Sequence, residues 1–397
     1  MIMYLPDVEE ILGDQDVFFG RHFNREPMLR RSALRGDPAS ILSVADLDAV
    51  VAAEAIRPPY LDVAKEGKQV PPAAYTEPVV VQSTYVTDRV VPARIAALFR
   101  AGATLTFNSL NHHRPNLRQL AGMMTNVFGA QAEVIAFLTP ASRRGLSPHY
   151  DPVDVFVLQL AGTKSWRVWP VPPQRRGDDA GNLNEAALGE PAIAATLAPG
   201  DVLYMPYNCA HVAVAEGQVS LHLSVTVQPR RWASLLQDVV AGLVAEDPRY
   251  RDNPRLRDAA AAQQLRTMLA MLAADLSTVD TTREIPLLIE AGIERAEGVA
   301  AFTALADAAA ADIIEPSSVL VRDTTTSVEV VGRDGDSVRA TVNGAVYTLP
   351  RSVIEALEAL DQSTTCSAAT LLPGATADLS TRTARTLARI GVLRTAR

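Results

Sequence analysis

Two residues one position apart, His149 and Asp151 in "SPHYDPVDVFVLQLAGTKSWRVW", put an imidazole and a carboxylate into a run that otherwise reads as core. Residues i and i+2 of a strand face the same side, so both groups converge on one point if this segment lines a barrel. A carboxylate in such a place is costly unless it is paired or binds a metal. His211 follows 62 positions after His149 and opens a strand behind the turn-and-strand segment "PGDVLYMP". Two imidazoles and one carboxylate form a facial set that suits non-haem Fe(II) and leaves coordination positions open. Lys164 lies fifteen positions after His149, across the turn "LAGTK". On an antiparallel strand returning beside the first, its ammonium could hold the far carboxylate of a keto acid bound at the open positions. The hydroxyls of Thr139, Tyr204 and Ser224 are further candidates for hydrogen bonds to that cosubstrate, and each is equally suited to a neighbouring backbone group.

Other residues of these types read more simply. His222, mid-strand in "SLHLSV", reads as a core or supporting histidine and not as a fourth ligand. His112 and His113 in "NSLNHHRP" belong to a loop, and Trp166 and Trp169 read as packing residues.

The elements that must position this chemistry follow from the pattern of the chain. Residues 100 to 230 carry short β-rich runs, among them "EVIAFLTP", "VFVLQLAG", "KSWRVWP", "GDVLYMP" and "VSLHLSVTV", separated by Gly and Pro. Their even spacing predicts a sandwich or barrel and not a βαβ sheet. The N-terminal part alternates helical and strand-like pieces. From residue 231 the chain turns Ala- and Leu-rich with helical spacing, as in "WASLLQDVVAGLVAE" and "QQLRTMLAMLAADL", which predicts a helical bundle of a kind that often doubles as a dimer interface. The last eighty or so residues combine strands with short helices, a winged-helix-like pattern.

Length and composition set the outer bounds. A chain of 397 residues with 48% hydrophobic residues is long enough for two or three packed domains. A net charge of −8 argues against a broad nucleic-acid surface. The arginines Arg382, Arg385, Arg389, Arg394 and Arg397 near the C-terminus could contact phosphates, but acidic residues such as Glu355 and Asp378 lie close by in sequence, so nucleic acid is not expected as a partner. The two cysteines, Cys209 and Cys366, are far apart and lack CxxC spacing, which argues against a disulfide framework or a cysteine-rich zinc site. The N-terminus lacks the basic start and long apolar stretch of a signal peptide, and no apolar run reaches the length of a membrane span. The expected location is the cytoplasm, with no membrane partner.

The stretch "EVIAFLTPASRRGLSPHYDPVDVFVLQLAGTKSWRVW" resembles the core of the JmjC-type ribosomal oxygenases, cupin-like protein hydroxylases with a Leu-Thr-Pro, Pro-His-Tyr-Asp, Phe-Val-Leu-Gln-Leu and Gly-x-Lys-x-Trp pattern. "PGDVLYMPYNCAH" resembles the strand leading to the family's distal histidine, "VSLHLSVTV" its closing strand and "FFGRHFNREPMLRR" its N-terminal stretch. The resemblance implies a double-stranded β-helix, the cupin or JmjC jelly roll, over residues 1–230. It further implies a helical dimerisation domain over 231–315 and a winged-helix-like domain over 316–397. It also implies Fe(II) at His149, Asp151 and His211, 2-oxoglutarate held by Lys164, and a homodimer formed through residues 231–315. The chain departs from the family at Ile135 and Phe137, where Asn and Tyr are usual, at "RRG" (Arg143 to Gly145) in place of Ser-Gln-Gly, and at "YNC" before the distal histidine. These changes fall at the expected substrate mouth.

The function so implied is hydroxylation of an amino-acid side chain, Arg or His foremost, in a protein or peptide. A peptide natural-product precursor as substrate, N-methyl-lysine demethylation and a non-catalytic cupin that only binds remain open alternatives.

Overall fold

The computed structural model describes residues 4–143, 145–174, 179–254, 256–296, 304–323, 326, 328–342, 345–360 and 365–396; Arg144 and Arg397 lie outside them. Packing divides the chain into two units, Met1–Gly298 and Val299–Arg397.

The first unit is built on two antiparallel sheets, the expected cupin-like jelly roll. The larger sheet orders its strands Met28–Arg30, Val202–Met205, Asp154–Ala161, Ser220–Val227, Ala132–Thr139, Thr104–Phe107, Leu61–Lys65 and Lys68–Gln69. The smaller sheet runs Gly181–Asn182, His149–Tyr150, His211–Ala215, Lys164–Val168 and Ile193–Leu197.

Side-chain alternation gives the larger sheet two different faces. Along Ser220–Val227, Leu221, Leu223, Val225 and Val227 join the main core with Leu117, Leu120 and Met124 of helix Pro115–Phe128. His222, Ser224 and Thr226 point the other way and line a cavity. Along Ala132–Thr139, Val134, Ala136 and Leu138 join the same core while Ile135 and Phe137 face the cavity. A second apolar cluster forms between the sheets from Val155, Val157, Leu203 and Met205 of one and Trp166, Val168 and Leu197 of the other.

The hairpin through Gly162 does not return Lys164 beside the strand it leaves, as the sequence suggested. Asp154–Ala161 belongs to the larger sheet and Lys164–Val168 to the smaller, where Lys164 pairs with Ala215 and Val168 with His211. Gly162 makes the crossing possible: its φ is +62°, and a Cβ there would meet the Val219 carbonyl oxygen at 2.0 Å. Lys164 therefore reaches the site alongside the strand of His211.

Helices Trp232–Glu246, Ala261–Leu276 and Thr281–Arg295 follow the sheets. The change of character at residue 231 is not a break in packing. Arg230 donates to the carbonyls of Gly129 and Leu288, and Gly292 lies so close to Gly129 that a Cβ would meet its carbonyl oxygen at 1.9 Å. This anchors the last of these helices to the turn that ends helix Pro115–Phe128. No helix among the described residues is long and apolar enough to cross a membrane.

The second unit contains two three-stranded sheets, one of Thr365–Ser367, Val319–Arg322 and Leu393–Thr395 and one of Val328–Asp334, Ser337–Val342 and Ala345–Pro350. Helices Arg351–Ala359 and Ala377–Arg389 complete its own core around Leu320, Val353, Leu357, Ala384 and Leu387. Three of the C-terminal arginines are engaged within this unit: Arg382 pairs with Asp378, Arg389 with Asp312, and Arg385 donates to the Ile314 carbonyl.

Candidate metal centre

His149 and His211 are direct cross-strand partners on two neighbouring inner strands of the smaller sheet. Asp151 lies one residue beyond the two-residue strand His149–Tyr150 and is fixed through its backbone carbonyl, which accepts from the amide of Asn208 at 2.8 Å. Asn208 occupies the left-handed region with φ 66°, so the "YNC" segment supplies a turn that holds the carboxylate residue in place.

The three residues bring ligand atoms within 4.8 Å of one another. Asp151 Oδ2 lies 3.4 Å from His211 Nε2 and 3.7 Å from His149 Nε2. Atoms bound at about 2.1 Å to one ion lie roughly 3–4 Å apart, so these spacings fit a shared divalent metal. The tautomers fit as well. His149 Nδ1 lies 2.7 Å from the Ser147 carbonyl and His211 Nδ1 3.1 Å from the Cys209 carbonyl. An N–H on each Nδ1 satisfies those carbonyls and leaves both Nε2 lone pairs facing Asp151. Burial, reinforced by His149, lowers the His211 pKa to about 4, which keeps its imidazole neutral, the ligating form.

The triad opens onto a cavity of about 200 Å³ between the sheets. Its walls are mostly apolar, with Ile135, Phe137, Leu146, Val153, Trp166 and Met205 prominent. Lys164 lines it at 4% exposure. Its Nζ lies 3.3 Å from Thr139 Oγ1 and 5.6 Å from the centre of the Trp166 ring. No carboxylate among the described residues pairs with this lysine, and burial pulls its pKa down from 10.5 to about 7. An enclosed ammonium with one hydroxyl as partner suits an anion by its own chemistry.

The other candidates divide. Ser224 lines the cavity, and Thr139 reaches it through Lys164. Tyr204 does not join them. It shares a strand with Leu203 and Met205, which face between the sheets, so alternation turns it to the opposite side. There it packs against Phe18 and Phe156 and donates to Asp154 at 2.6 Å. His112 and His113 pack on Tyr60, and Trp169 donates to the Gly189 carbonyl; none lines the cavity. Trp166, expected as packing, and His222, expected as a core or supporting histidine, both line it. Their signal was their parity: Trp166 is two residues from Lys164, and His222 two from Ser224.

Comparison with known proteins agrees with this architecture. Residues 109–235 match the JmjC domain family. Ribosomal oxygenase 1 of Homo sapiens is 30% identical over 233 residues, 57% of this chain and 34% of that protein. The bifunctional lysine-specific demethylase and histidyl-hydroxylase NO66 of Drosophila persimilis is 31% identical over 160 residues, 40% of this chain and 23% of that protein. The chain thus spans about a third or less of the length of these curated relatives. The solved structure of E. coli ycfD shares the fold over 96% of this chain and 98% of that one, with a TM-score of 0.55 at 18% identity. A second structure of the same ribosomal oxygenase, in complex with cobalt and 2-oxoglutarate, covers 97% of this chain and 98% of that one, with a TM-score of 0.53 at 17% identity. Fold and site thus define a cupin-like protein with a two-histidine, one-carboxylate centre. Residues 109–235 match the JmjC domain family, and the relatives this chain resembles are ribosomal oxygenases.

Proposed function

We propose that this chain is an Fe(II)- and 2-oxoglutarate-dependent oxygenase that hydroxylates an amino-acid side chain, Arg or His, of a protein or peptide. The observation that carries the reading is the pairing, in one cavity, of a preset metal triad with a buried lysine that no carboxylate among the described residues pairs with. A metal site alone would serve a binding protein. The lysine adds a place for the far end of a dicarboxylate. The relatives support the same reading: one neighbour's structure holds cobalt and 2-oxoglutarate, and one relative is named a histidyl-hydroxylase.

In this reading His149, Asp151 and His211 hold Fe(II), and Lys164 with Thr139 holds the distal carboxylate of 2-oxoglutarate. The metal and cosubstrate together supply O2 activation, which side-chain acids and bases cannot provide for an unactivated C–H bond. The chain's own contribution is placement. The carbonyls of Ser147 and Cys209 fix the imidazole tautomers, and the apolar walls keep bulk water from the reacting centre.

We further assign residues 231–315 as a dimerisation segment and 316–397 as an accessory winged-helix-like domain within the same working protein. Trp232 is 77% exposed, Leu265 60% and Ile285 58%, an apolar display that suits a second copy. Two cysteines that no disulfide links, Cys209 and Cys366, suit a reducing compartment, the cytoplasm.

The direct test supplies Fe(II), 2-oxoglutarate and O2 together with a digest of ribosomal proteins. The expected result is peptide-dependent succinate and a gain of one oxygen atom on an Arg or His. Iron-loaded protein that forms no succinate with any fraction would count against an oxygenase.

A further inference from the structure

Two cavity-lining side chains carry an enclosed polar atom with no hydrogen-bond partner, Trp166 at Nε1 and His222 at Nδ1. His222 is 2% exposed, lines the cavity, and has an enclosed Nδ1 with no hydrogen-bond partner. Its ring is clamped: it stacks on Phe137 with centroids 5.0 Å apart and planes 4° from parallel, and it meets the edge of Trp166 at 5.4 Å. Trp166 is also the ring beside which Lys164 Nζ sits. The imidazole and the ammonium therefore lie against one indole, in the same part of the cavity.

A buried, rigidly held imidazole with no partner is costly in the free protein. Burial, with Lys164 and His211 nearby, holds the His222 pKa well below 6.5, so the ring is neutral and carries a single N–H. Nδ1 is walled off from any acceptor, which favours the tautomer with the proton on Nε2, the nitrogen left to meet a ligand.

We propose that His222 is a positioning residue for the cosubstrate, donating Nε2–H to the carboxylate that Lys164 pairs with. The inference rests on the oxygenase reading and adds a donor to it. A carboxylate has two oxygens, and a lysine point charge fixes neither its tilt nor its rotation. A second donor on a clamped ring sets the orientation, and with it the direction in which the keto end reaches the triad.

The test measures the dissociation constant of 2-oxoglutarate by calorimetry on Mn(II)-loaded full-length protein, beside the metal affinity and Tm. His222→Leu removes the donor and is expected to weaken 2-oxoglutarate about tenfold, the effect of one charge-assisted hydrogen bond, with metal affinity unchanged. His222→Gln restores an N–H at the same reach and is expected to recover most of the loss. Equal affinity in His222→Leu and wild type overturns the proposal, as does a loss that His222→Gln does not repair, since that marks packing alone. Lys164→Met separates the two levels: if it leaves 2-oxoglutarate affinity unchanged, the cosubstrate reading itself fails. Should the His222 variants not fold, ¹⁵N-imidazole NMR of wild-type protein with Zn(II) gives the same decision. Adding 2-oxoglutarate is expected to shift the His222 Nε2–H resonance and slow its exchange, and an unmoved resonance overturns the proposal.

Discussion

The two faces of the larger sheet share the same strands and do opposite work. One face, with Leu221, Leu223, Val225 and Tyr204, is mainly apolar and backed by helix Pro115–Phe128, and the Tyr204 hydroxyl on it donates to Asp154. The other, with His222, Ser224 and Phe137, looks into a cavity and leaves polar groups without partners. The outer face stabilises the fold. The inner face holds groups that a folded chain without ligand would be more stable without, which is the signature of a binding wall.

The contrast can be broken by substitution, and the outer face gives the largest effects on stability. Leu223→Ala, at a fully buried position, is expected to cost about 2–5 kcal/mol in denaturant unfolding. The folded fraction should keep its affinity for 2-oxoglutarate. Tyr204→Phe strips the buried Asp154 carboxylate of a hydrogen bond and is expected to cost about 1–3 kcal/mol, again with cosubstrate binding unchanged. A large loss of 2-oxoglutarate affinity in Tyr204→Phe would return that residue to the site.

The inner face should give the opposite sign. Lys164→Met removes an enclosed ammonium and fills its space with apolar volume, so Tm in the absence of ligand is expected to rise while 2-oxoglutarate binding is lost. The gain should depend on pH. The folded-state pKa of about 7 lies below the unfolded value near 10.5, so folding releases a proton between these limits. Wild-type stability therefore carries the full penalty below about pH 7 and recovers as pH rises toward 10.5. The advantage of Lys164→Met should shrink over that window in thermal melts. An advantage that grows with pH would contradict a desolvated lysine.

The smallest effect on the fold is expected on the helices. Leu265→Lys and Leu269→Lys replace exposed side chains and should change unfolding free energy by no more than about 0.5 kcal/mol each. Light scattering should nevertheless show a shift from dimer to monomer. A monomeric wild type, or a dimer indifferent to both substitutions, would remove the assignment of 231–315.

The same two faces explain what was legible in the sequence. His149 and Asp151 announced themselves because a carboxylate among core residues needs a reason, and His211 because it opens a strand after a turn. The Tyr204 hydroxyl suggests a cosubstrate contact only while its parity is ignored; Met205, not Tyr204, faces inward. Lys164 was assigned the right cavity by the wrong route, since strand pairing after a two-residue turn is a tertiary choice and Gly162 sends the chain to the other sheet. The flanking leucines of His222 suggest core, but period-two alternation puts them on the far side and leaves the supporting role, facing the cavity. Ile135 and Phe137, expected at the substrate mouth, line the cavity itself, and Phe137 clamps His222. Arg144, expected beside them, lies outside the described residues. The exposure of Trp232 and Leu265 could not be read from an Ala- and Leu-rich pattern, which looks the same in a buried bundle and at an interface.

The central claim is that His149, Asp151 and His211 hold the metal against which 2-oxoglutarate chelates. Anaerobic titration of Fe(II)-loaded protein with 2-oxoglutarate, followed through the visible charge-transfer absorption of an Fe(II)–keto-acid chelate, tests it in one cuvette. Wild type should develop the band to saturation at one cosubstrate per chain, and His211→Ala, unable to retain iron, should show none. Full iron occupancy and an undiminished band in His211→Ala would contradict the account.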